Sequence, residues 1–338
     1  MKQYDFVAVG DMVTDAFIRL QVADEHVDHE MRELCVPFAT KIPFESVTEV
    51  PAVGNCANAA VAAARLGLSS ALVSNQGNDE IGKKQREVLR LEKVGDEYVR
   101  DHSGMKSNYH YVLWYKDERT ILVKHEDYPY TLPDIGTPKW IYLTSLGPQS
   151  LEFHKILELW LVNHPSTQLA FQPGTFQIKL GMQLIELYKR TQIFFCNVDE
   201  AREILGVNAP VAGSGESRDD EVLNLMKVLR NLGPEIVCVT DGPKGAYAFD
   251  GRTSEAYFMP PYPDKAPPYD RTGAGDAFAS TFTSAVILGK GVQEALTWAP
   301  INSMSVVQKV GAREGLLTRE GLEEYLTKAP PEYNPHRI

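Results

Sequence analysis

Residues 269–282, YDRTGAGDAFASTF, combine the residue types needed to hold an anion and to remove a proton. Gly273, Ala274 and Gly275 allow backbone N–H groups to converge on one point, and the apolar pattern that follows predicts a helix whose N-terminal dipole faces that point. Such a turn would hold a phosphoryl group, and Asp276 beside it would take the proton from an attacking hydroxyl. The alternative is that Asp276 only caps the helix.

Composition limits the partners of this chain. It has 338 residues, 43% of them hydrophobic and 23% charged, as expected for a globular protein with a large core. The formal net charge of -11 argues against nucleic acid or an anionic membrane as a partner, because both require a basic surface. The four cysteines lack CxxC spacing, and no apolar run approaches the roughly 18 residues of a membrane span. We therefore expect a cytoplasmic protein.

The order of predicted elements indicates an α/β fold. Short apolar runs typical of strands covered on both faces alternate with helical patterns, which predicts a mostly parallel sheet. The strand candidates are DFVAVG, ALVSNQG, WIYLTSLG, QLAFQPG, QIFFCNV and EIVCVTDG. Three helical patterns are predicted to close at Gly67, Gly95 and Gly206. Residues 16–50 and 108–127 break the alternation, and the second stretch has the pattern of a hairpin with the turn KDER.

Sequence motifs separate this chain from several classes of phosphate-binding protein. A Walker A loop, the HRD and DFG elements of protein kinases and a GxGxxG strand–helix turn are all absent from the sequence. Six other segments, in one order along the chain, resemble the ribokinase-like carbohydrate kinases, the PfkB family. These segments are VGDMVTDAF, VGNCANAAVAAARLG, GNDEIG, NVDE, TDGPKG and DRTGAGDAF.

The resemblance implies an architecture. Family members have a three-layer αβα sandwich with a mostly parallel central sheet and a small β-sheet lid. On this chain the core would comprise residues 1–15, 51–107 and 128–330, the lid residues 16–50 and 108–127, and a C-terminal tail residues 331–338. Family members often cover the exposed edge of the lid by pairing two lids, so a homodimer through the lid is expected.

The resemblance also implies the roles of individual residues. Asp276 would be the general base, with Gly273, Ala274 and Gly275 as the anion hole. The acceptor would be bound by Asp15, Gly54, Asn55 and Asn58. The nucleotide and its metal would be bound by Asn197, Glu200, Thr240, Gly242 and Gly245. Candidate ligands of a monovalent cation are Asp270 and Thr272.

Several of these residues have a second, purely structural interpretation. Asp15, predicted just after the first strand, would lie at the carboxyl edge of the sheet or simply form a turn. Asn58 would serve equally well as a helix cap, and Asn197 and Glu200 as a capping pair. Thr240 and its neighbouring glycines would also suit a tight turn. Arg271 replaces a small residue usual in the family, and would reach a phosphate or form a surface ion pair.

The function implied is phosphoryl transfer from ATP with Mg²⁺, and K⁺ as a candidate monovalent cation. Asn55 stands where ribokinases often have lysine, so the acceptor stays open among sugars, sugar phosphates and nucleosides. A nucleoside kinase would stack its base on lid aromatics, for which the candidates are Phe38, Phe44, Tyr109, Tyr111 and Trp114. A catalytically silent ligand-binding homologue is the alternative from another class, and it would be favoured by loss of the base or the anion turn.

Overall fold

The computed structural model describes residues 3–28, 31–116, 118–208 and 217–338. Its strands are β1 (Phe6–Val9), β2 (Val13–Leu20), β3 (Asp24–Asp28), β4 (Met31–Cys35), β5 (Phe44–Val53), β6 (Ser70–Gly77), β7 (Val99–His102), β8 (Tyr109–Tyr115), β9 (Glu118–Leu122), β10 (Trp140–Leu143), β11 (Gln168–Phe171), β12 (Ile193–Asn197), β13 (Ile236–Thr240), β14 (Ala246–Asp250), β15 (Glu255–Met259) and β16 (His336–Arg337). Its α-helices are α1 (Asn55–Arg65), α2 (Glu80–Leu91), α3 (Leu151–Asn163), α4 (Thr175–Leu180), α5 (Ile185–Arg190), α6 (Val198–Leu205), α7 (Arg218–Asn231), α8 (Ala274–Ile287), α9 (Val292–Val306) and α10 (Arg319–Thr327).

A ten-stranded central sheet has the order β16-β15-β14-β13-β12-β11-β10-β1-β6-β7. The strands from β7 to β13 in this order run parallel, and β14, β15 and β16 add an antiparallel edge. All six strands predicted from apolar runs belong to the parallel part. Residues 336–337 pair with β15, so the predicted tail contributes the last strand of the sheet.

Helices cover both faces of this sheet. Alternate residues of each strand enter two separate hydrophobic clusters, with Phe6 and Ala8 in one and Val7 and Val9 in the other. The first cluster includes residues of α1, α8, α9 and α10, and the second includes residues of α3, α5, α6 and α7. Because the strands between the two edges of the sheet are buried on both faces, strands such as β1 and β10 are continuous apolar runs rather than alternating ones. The predicted three-layer αβα sandwich is confirmed.

The predicted helix ends are only partly correct. Gly206 caps α6, and Gly67 follows the end of α1. The prediction for Gly95 is wrong, because α2 already ends at Leu91. The N–H of Gly95 donates to the carbonyl of Ser70 at 2.8 Å, which places this glycine beside β6 instead of at a helix end.

A second sheet has the order β5-β2-β8-β9. Strands β2 and β8 run parallel, while β8 and β9 form the predicted hairpin, with Tyr115 opposite Glu118. Both segments predicted to break the α/β alternation contribute strands to this sheet, and β3 and β4 form a separate hairpin. The small core of the four-stranded sheet consists of Val13, Phe17, Val50, Val53 and Val112. Across the described ranges of the chain, no helix combines the length and apolar character needed to cross a membrane.

Candidate active site

Asp276 lies in the first turn of α8 and is buried. Its carboxylate accepts hydrogen bonds from Asn58 Nδ2 at 2.9 Å and from Gln172 Nε2 at 3.2 Å. These donors come from α1 and from the end of β11, and the N-cap of α8 is Gly273. The interpretation of Asp276 as a helix cap is therefore wrong. The carboxylate is held at the meeting point of three elements.

The turn before Asp276 is built by the backbone. Gly273 has a φ of 79°, and a Cβ placed there would lie 2.2 Å from the Cβ of Ala312, so only glycine fits. No side chain caps the N-terminus of α8. The N–H groups of Ala274, Gly275 and Asp276 therefore have no intrahelical acceptor, as at any helix start. The turn thus has the donors and the dipole direction required to bind an anion.

Burial raises the pKa of the Asp276 carboxyl above its ordinary value. The hydrogen bonds from Asn58 and Gln172 lower this pKa, as does the positive charge of Arg119, whereas the negative charge of Asp15 raises it. The balance leaves a carboxylate that is more basic than an exposed aspartate. A proton acceptor needs this property.

The position of Asp15 differs from the prediction. Asp15 does not lie at the edge of the central sheet but within β2 of the second sheet, because the chain leaves the central sheet at Gly10. It is buried and pairs in register with His110, whose Nδ1 lies 3.4 Å from Asp15 Oδ1. The negative charge of Asp15 still raises the pKa of Asp276, so the two carboxylates interact electrostatically.

The N-terminus of α1 contributes the other predicted acceptor residues. Gly54 is the N-cap with a φ of 92°, and a Cβ there would lie 2.7 Å from the carbonyl oxygen of Asp11. Asn55 is the first residue of α1 and is half-buried. Asn58 is fully inside the helix, so its interpretation as an N-cap is wrong. Its Oδ1 is buried without a hydrogen-bond partner in the described part of the chain.

The predicted nucleotide loop lines a cavity of about 380 Å³. Thr240, Gly242 and Gly245 border it together with Ala274 and Gly275 of the anion turn. The remaining walls are largely apolar and include Pro261, Pro263, Phe278, Pro300 and Met304. The structure therefore brings the TDGPKG loop and the glycine turn before Asp276 into the wall of one cavity, which includes the start of α8.

Arg271 also lines this cavity and is exposed. Within the described residues it makes no ion pair, although its charge lowers the pKa of Asp264, another cavity residue that burial shifts upwards. The surface ion pair considered for Arg271 is not formed. Its guanidinium is available to a ligand of the cavity.

Asn197 and Glu200 form the capping pair that the sequence allowed. Glu200 N–H donates to Asn197 Oδ1 and Asn197 N–H donates to Glu200 Oε2, both at 2.8 Å. Burial raises the pKa of Glu200, the N–H of Asn197 lowers it, and the charge of Asp276 raises it. Glu200 is therefore close enough to the base for the two carboxylates to repel each other.

Asp270 and Thr272 bond to each other and to a neighbouring loop. Asp270 Oδ1 accepts the N–H of Thr272 at 2.9 Å and its hydroxyl at 2.6 Å, and Asp270 Oδ2 accepts the N–H of Gly311 at 2.8 Å. Arg119 Nη1 from β9 lies 3.8 Å from Asp270 Oδ1. These contacts order the anion turn and connect it to the second sheet.

Several side chains near Asp276 and Asp15 were not predicted as site residues. Asp11 and Gln172 follow β1 and β11, and the rule that ligands bind at the carboxyl ends of parallel strands could have identified both. His110 lies in β8, and nothing in its local sequence marks it.

The aromatic residues of the second sheet have different environments. Trp114 is buried, with its ring centroid 5.0 Å from that of Tyr269, and the Arg19 guanidinium lies 4.7 Å from the Trp114 centroid. Tyr109 donates to Glu49 at 2.8 Å. Phe38 and Phe44 are exposed, as is Tyr111. Of this set, Trp114 connects the second sheet to the residue that precedes the anion turn.

A buried carboxylate beside a helix N-terminus, together with a cavity bordered by a glycine-containing loop on an α/β sheet, is an arrangement that suits phosphoryl transfer. The family model described as pfkB family carbohydrate kinase matches residues 34–319. The chain belongs to this family and is a kinase.

Relatives and solved structures agree with this assignment. Ribokinase of Haemophilus influenzae is 24% identical over 313 residues, covering 88% of this chain and 95% of that protein. The fold resembles that of Arabidopsis thaliana ribokinase, solved with ribose and ATP, with a TM-score of 0.75 at 21% identity over 96% of this chain and 99% of the other. It also resembles the nucleoside kinase of Methanocaldococcus jannaschii, with a TM-score of 0.73 at 17% identity over 97% of this chain and 100% of the other.

Proposed function

We propose that this kinase transfers the γ-phosphoryl group of ATP to a hydroxyl group of a sugar or sugar-like acceptor, with Asp276 as the general base. The position of Asp276 carries the proposal. Its helix begins in the wall of the cavity that Thr240 and Gly245 border, while its carboxylate accepts a hydrogen bond from Asn58 of α1 and its pKa is raised by the charge of Asp15. Asp276 would therefore lie between the donor and the acceptor.

Asp276 would accept the proton of the attacking hydroxyl. Asn58 and Gln172 orient its two oxygens and favour the ionised form, while burial makes that form more basic. A base positioned in this way contributes about 10²- to 10⁴-fold to the rate. The N–H groups of residues 273–275 would stabilise the charge that develops on the transferred group, and the backbone holds them in place before the reaction.

The cavity would hold the nucleotide, and Glu200 of α6 would help to hold an accompanying Mg²⁺. Glu200 uses one oxygen in the capping pair, which leaves the other free for a water-bridged contact with the metal, beside Asn197. The repulsion between Glu200 and Asp276 would be offset by a divalent cation. When bound, Mg²⁺ neutralises charge on the phosphates. Asp270 and Thr272 remain the proposed ligands of K⁺.

The second sheet would act as the lid over the acceptor. We assign to it residues 16–50 and 108–127, and to the core residues 1–15, 51–107 and 128–330. A closed lid excludes water that would otherwise compete for the phosphoryl group. Two lids would pair in a homodimer, since lid strands expose the apolar side chains of Phe44, Val47, Tyr111 and Leu122.

An assay for acceptor-dependent ADP formation tests this proposal. Purified protein with ATP and Mg²⁺ is offered D-ribose, D-fructose, D-ribose 1-phosphate and cytidine, each with and without K⁺. We expect at least one acceptor to raise ADP formation well above the rate without acceptor, with a phosphorylated product. The second candidate function is a nucleoside kinase, because the structurally similar M. jannaschii protein is a nucleoside kinase. A preference for cytidine over the sugars would support it. ATP binding without turnover on any acceptor would favour the silent homologue.

A further inference from the structure

Two carboxylate–histidine pairs lie on the acceptor side of Asp276. His110 Nδ1 lies 3.4 Å from Asp15 Oδ1, and His125 Nδ1 lies 3.4 Å from Asp11 Oδ2. The two imidazole rings contact each other edge to face, with centroids 5.5 Å apart. The side chains of Asp11 and Asp15 are 2% and 11% exposed. We call these four side chains the acceptor quartet.

The acceptor quartet has polar atoms that the described part of the chain does not satisfy. Among the described residues, Asp11 Oδ1, His110 Nε2 and the neighbouring Asn58 Oδ1 are buried without a hydrogen-bond partner. Asp15 Oδ1 is also buried and has only the 3.4 Å contact with His110 Nδ1, which is not a hydrogen bond. Buried polar atoms are rarely left unpaired, because desolvation without a partner is costly. Three of these four atoms are oxygens that only accept hydrogen bonds. A ligand that satisfies them must bring several donors.

The carboxylate of Asp11 is fixed by its other oxygen. Asp11 Oδ2 accepts the N–H of Gly147 and the hydroxyl of Tyr130, both at 2.7 Å. Burial raises the pKa of the Cys56 thiol, and the negative charges of Asp11 and Asp276 raise it further, so both carboxylates act on the same buried side chain of α1. Asp11 is therefore an oriented carboxylate beside the site, with one oxygen available.

We propose that Asp11 is a second acceptor-binding carboxylate and that the buried end of the acceptor is an uncharged polyol whose hydroxyls donate to Asp11 and Asp15. An anionic group there would face the carboxylates of Asp11, Asp15 and Asp276. Arg119, whose charge lowers the pKa of Asp276, lies with its Nη1 3.8 Å from Asp270 Oδ1. Among the described residues, no group of three or more His, Cys, Asp and Glu side chains, the quartet included, is arranged to hold a metal ion by itself, so we assign the quartet to hydrogen bonding. This inference depends on the proposed function, since it narrows the substrate class of the same site.

The test compares neutral polyols with anionic partners of the same skeleton. Calorimetric titrations use D-ribose against D-ribose 1-phosphate and D-fructose against D-fructose 6-phosphate, on the wild type, Asp11→Asn and the control Asp134→Asn. Asp134 is exposed and bonds the N–H of Gly136. The amide oxygen of Asp11→Asn can still accept from Gly147 and Tyr130, so the fold should persist, as thermal unfolding checks. We expect neutral polyols to bind more tightly, and Asp11→Asn to weaken them about tenfold or more without changing ATP affinity.

The possible results test the polyol site and the proposed phosphoryl transfer independently. Anionic probes that bind as tightly as the neutral ones, an unchanged affinity in Asp11→Asn, or no binding of either neutral probe would overturn it. Turnover of D-fructose 6-phosphate that Asp11→Asn leaves intact would retain the kinase and reject the polyol site. Polyol binding that depends on Asp11, without phosphoryl transfer, would support the polyol site and reject the proposed reaction.

Discussion

The proposed nucleotide side and the proposed acceptor side of Asp276 differ in the groups that form them. The nucleotide cavity is bordered by glycines, prolines and apolar side chains from residues 240–307. The acceptor side is bordered by buried Asp11, Asp15, His110 and His125, which come from separate segments of the chain. A site made by the backbone depends on short local motifs, whereas a site made by side chains depends on how distant segments pair. We therefore expect the nucleotide side to be common to many substrates, and the acceptor side to select one acceptor.

Asp276 belongs to both sides, so its removal should have the largest effect. Asp276→Asn keeps the shape of the side chain but cannot take a proton. We expect kcat to fall by about 10²-fold or more, with little change in the affinity for ATP. Steady-state kinetics and nucleotide titration check this, and thermal unfolding controls for misfolding. Turnover near the wild-type rate would remove Asp276 from the mechanism.

The second prediction tests whether the nucleotide side depends on backbone shape. Gly273→Ala places a Cβ 2.2 Å from Ala312 Cβ at a φ of 79°. Gly289→Ala is the matched control, because Gly289 has a φ of 86° but no atom near the added Cβ. We expect Gly273→Ala to lower the free energy of unfolding by about 2 kcal/mol or more, and clearly more than Gly289→Ala. Equal losses in denaturant titrations would mean that the contact with Ala312 does not constrain the turn.

The same contrast explains what could be predicted from sequence. The parallel strands were predicted because burial on both faces makes them continuous apolar runs, and Asp276 was predicted because its turn is local. Asp15 was placed on the wrong sheet, since its position depends on the parallel pairing of β2 with β8, which lies far along the chain. His125 becomes a neighbour of Asp11 only through that fold. Contacts between segments that are distant in sequence cannot be predicted from local periodicity.

The lid prediction tests whether the acceptor side is assembled from two segments. With acceptor at about ten times its Kd, hydrogen exchange should slow on the order of tenfold in residues 16–50 and 108–127 together. Residues 240–245 should change little, because they belong to the nucleotide side. Hydrogen–deuterium exchange with mass spectrometry measures both regions in one experiment. Protection of only one segment would show that the two do not act as a common lid.

Asn58 should tune the pKa of Asp276 through the hydrogen bond that it donates. Only ionised Asp276 can accept a proton, so kcat should be lost as the pH falls through the raised pKa of Asp276. Asn58 lowers that pKa by donating to the carboxylate, so Asn58→Ala should move the acid limb of the kcat profile to higher pH. Gln172→Ala should move it in the same direction, and less, since its bond is 3.2 Å rather than 2.9 Å. An acid limb that stays in place in both variants would assign it to another group.

Arg271 should have the smallest effect, and it should act on the nucleotide side alone. Its guanidinium is exposed at the cavity wall, where an interaction with phosphate is weakened by solvent. We expect Arg271→Ala to raise the KM for ATP roughly two- to fivefold, more at low ionic strength than at high, and to leave the acceptor KM unchanged. Lys244→Ala is the control, because Lys244 is also exposed and lies within the nucleotide loop, but it does not line the cavity. A larger change in the acceptor KM than in the ATP KM would place Arg271 on the other side of Asp276 and break the division between the two sides.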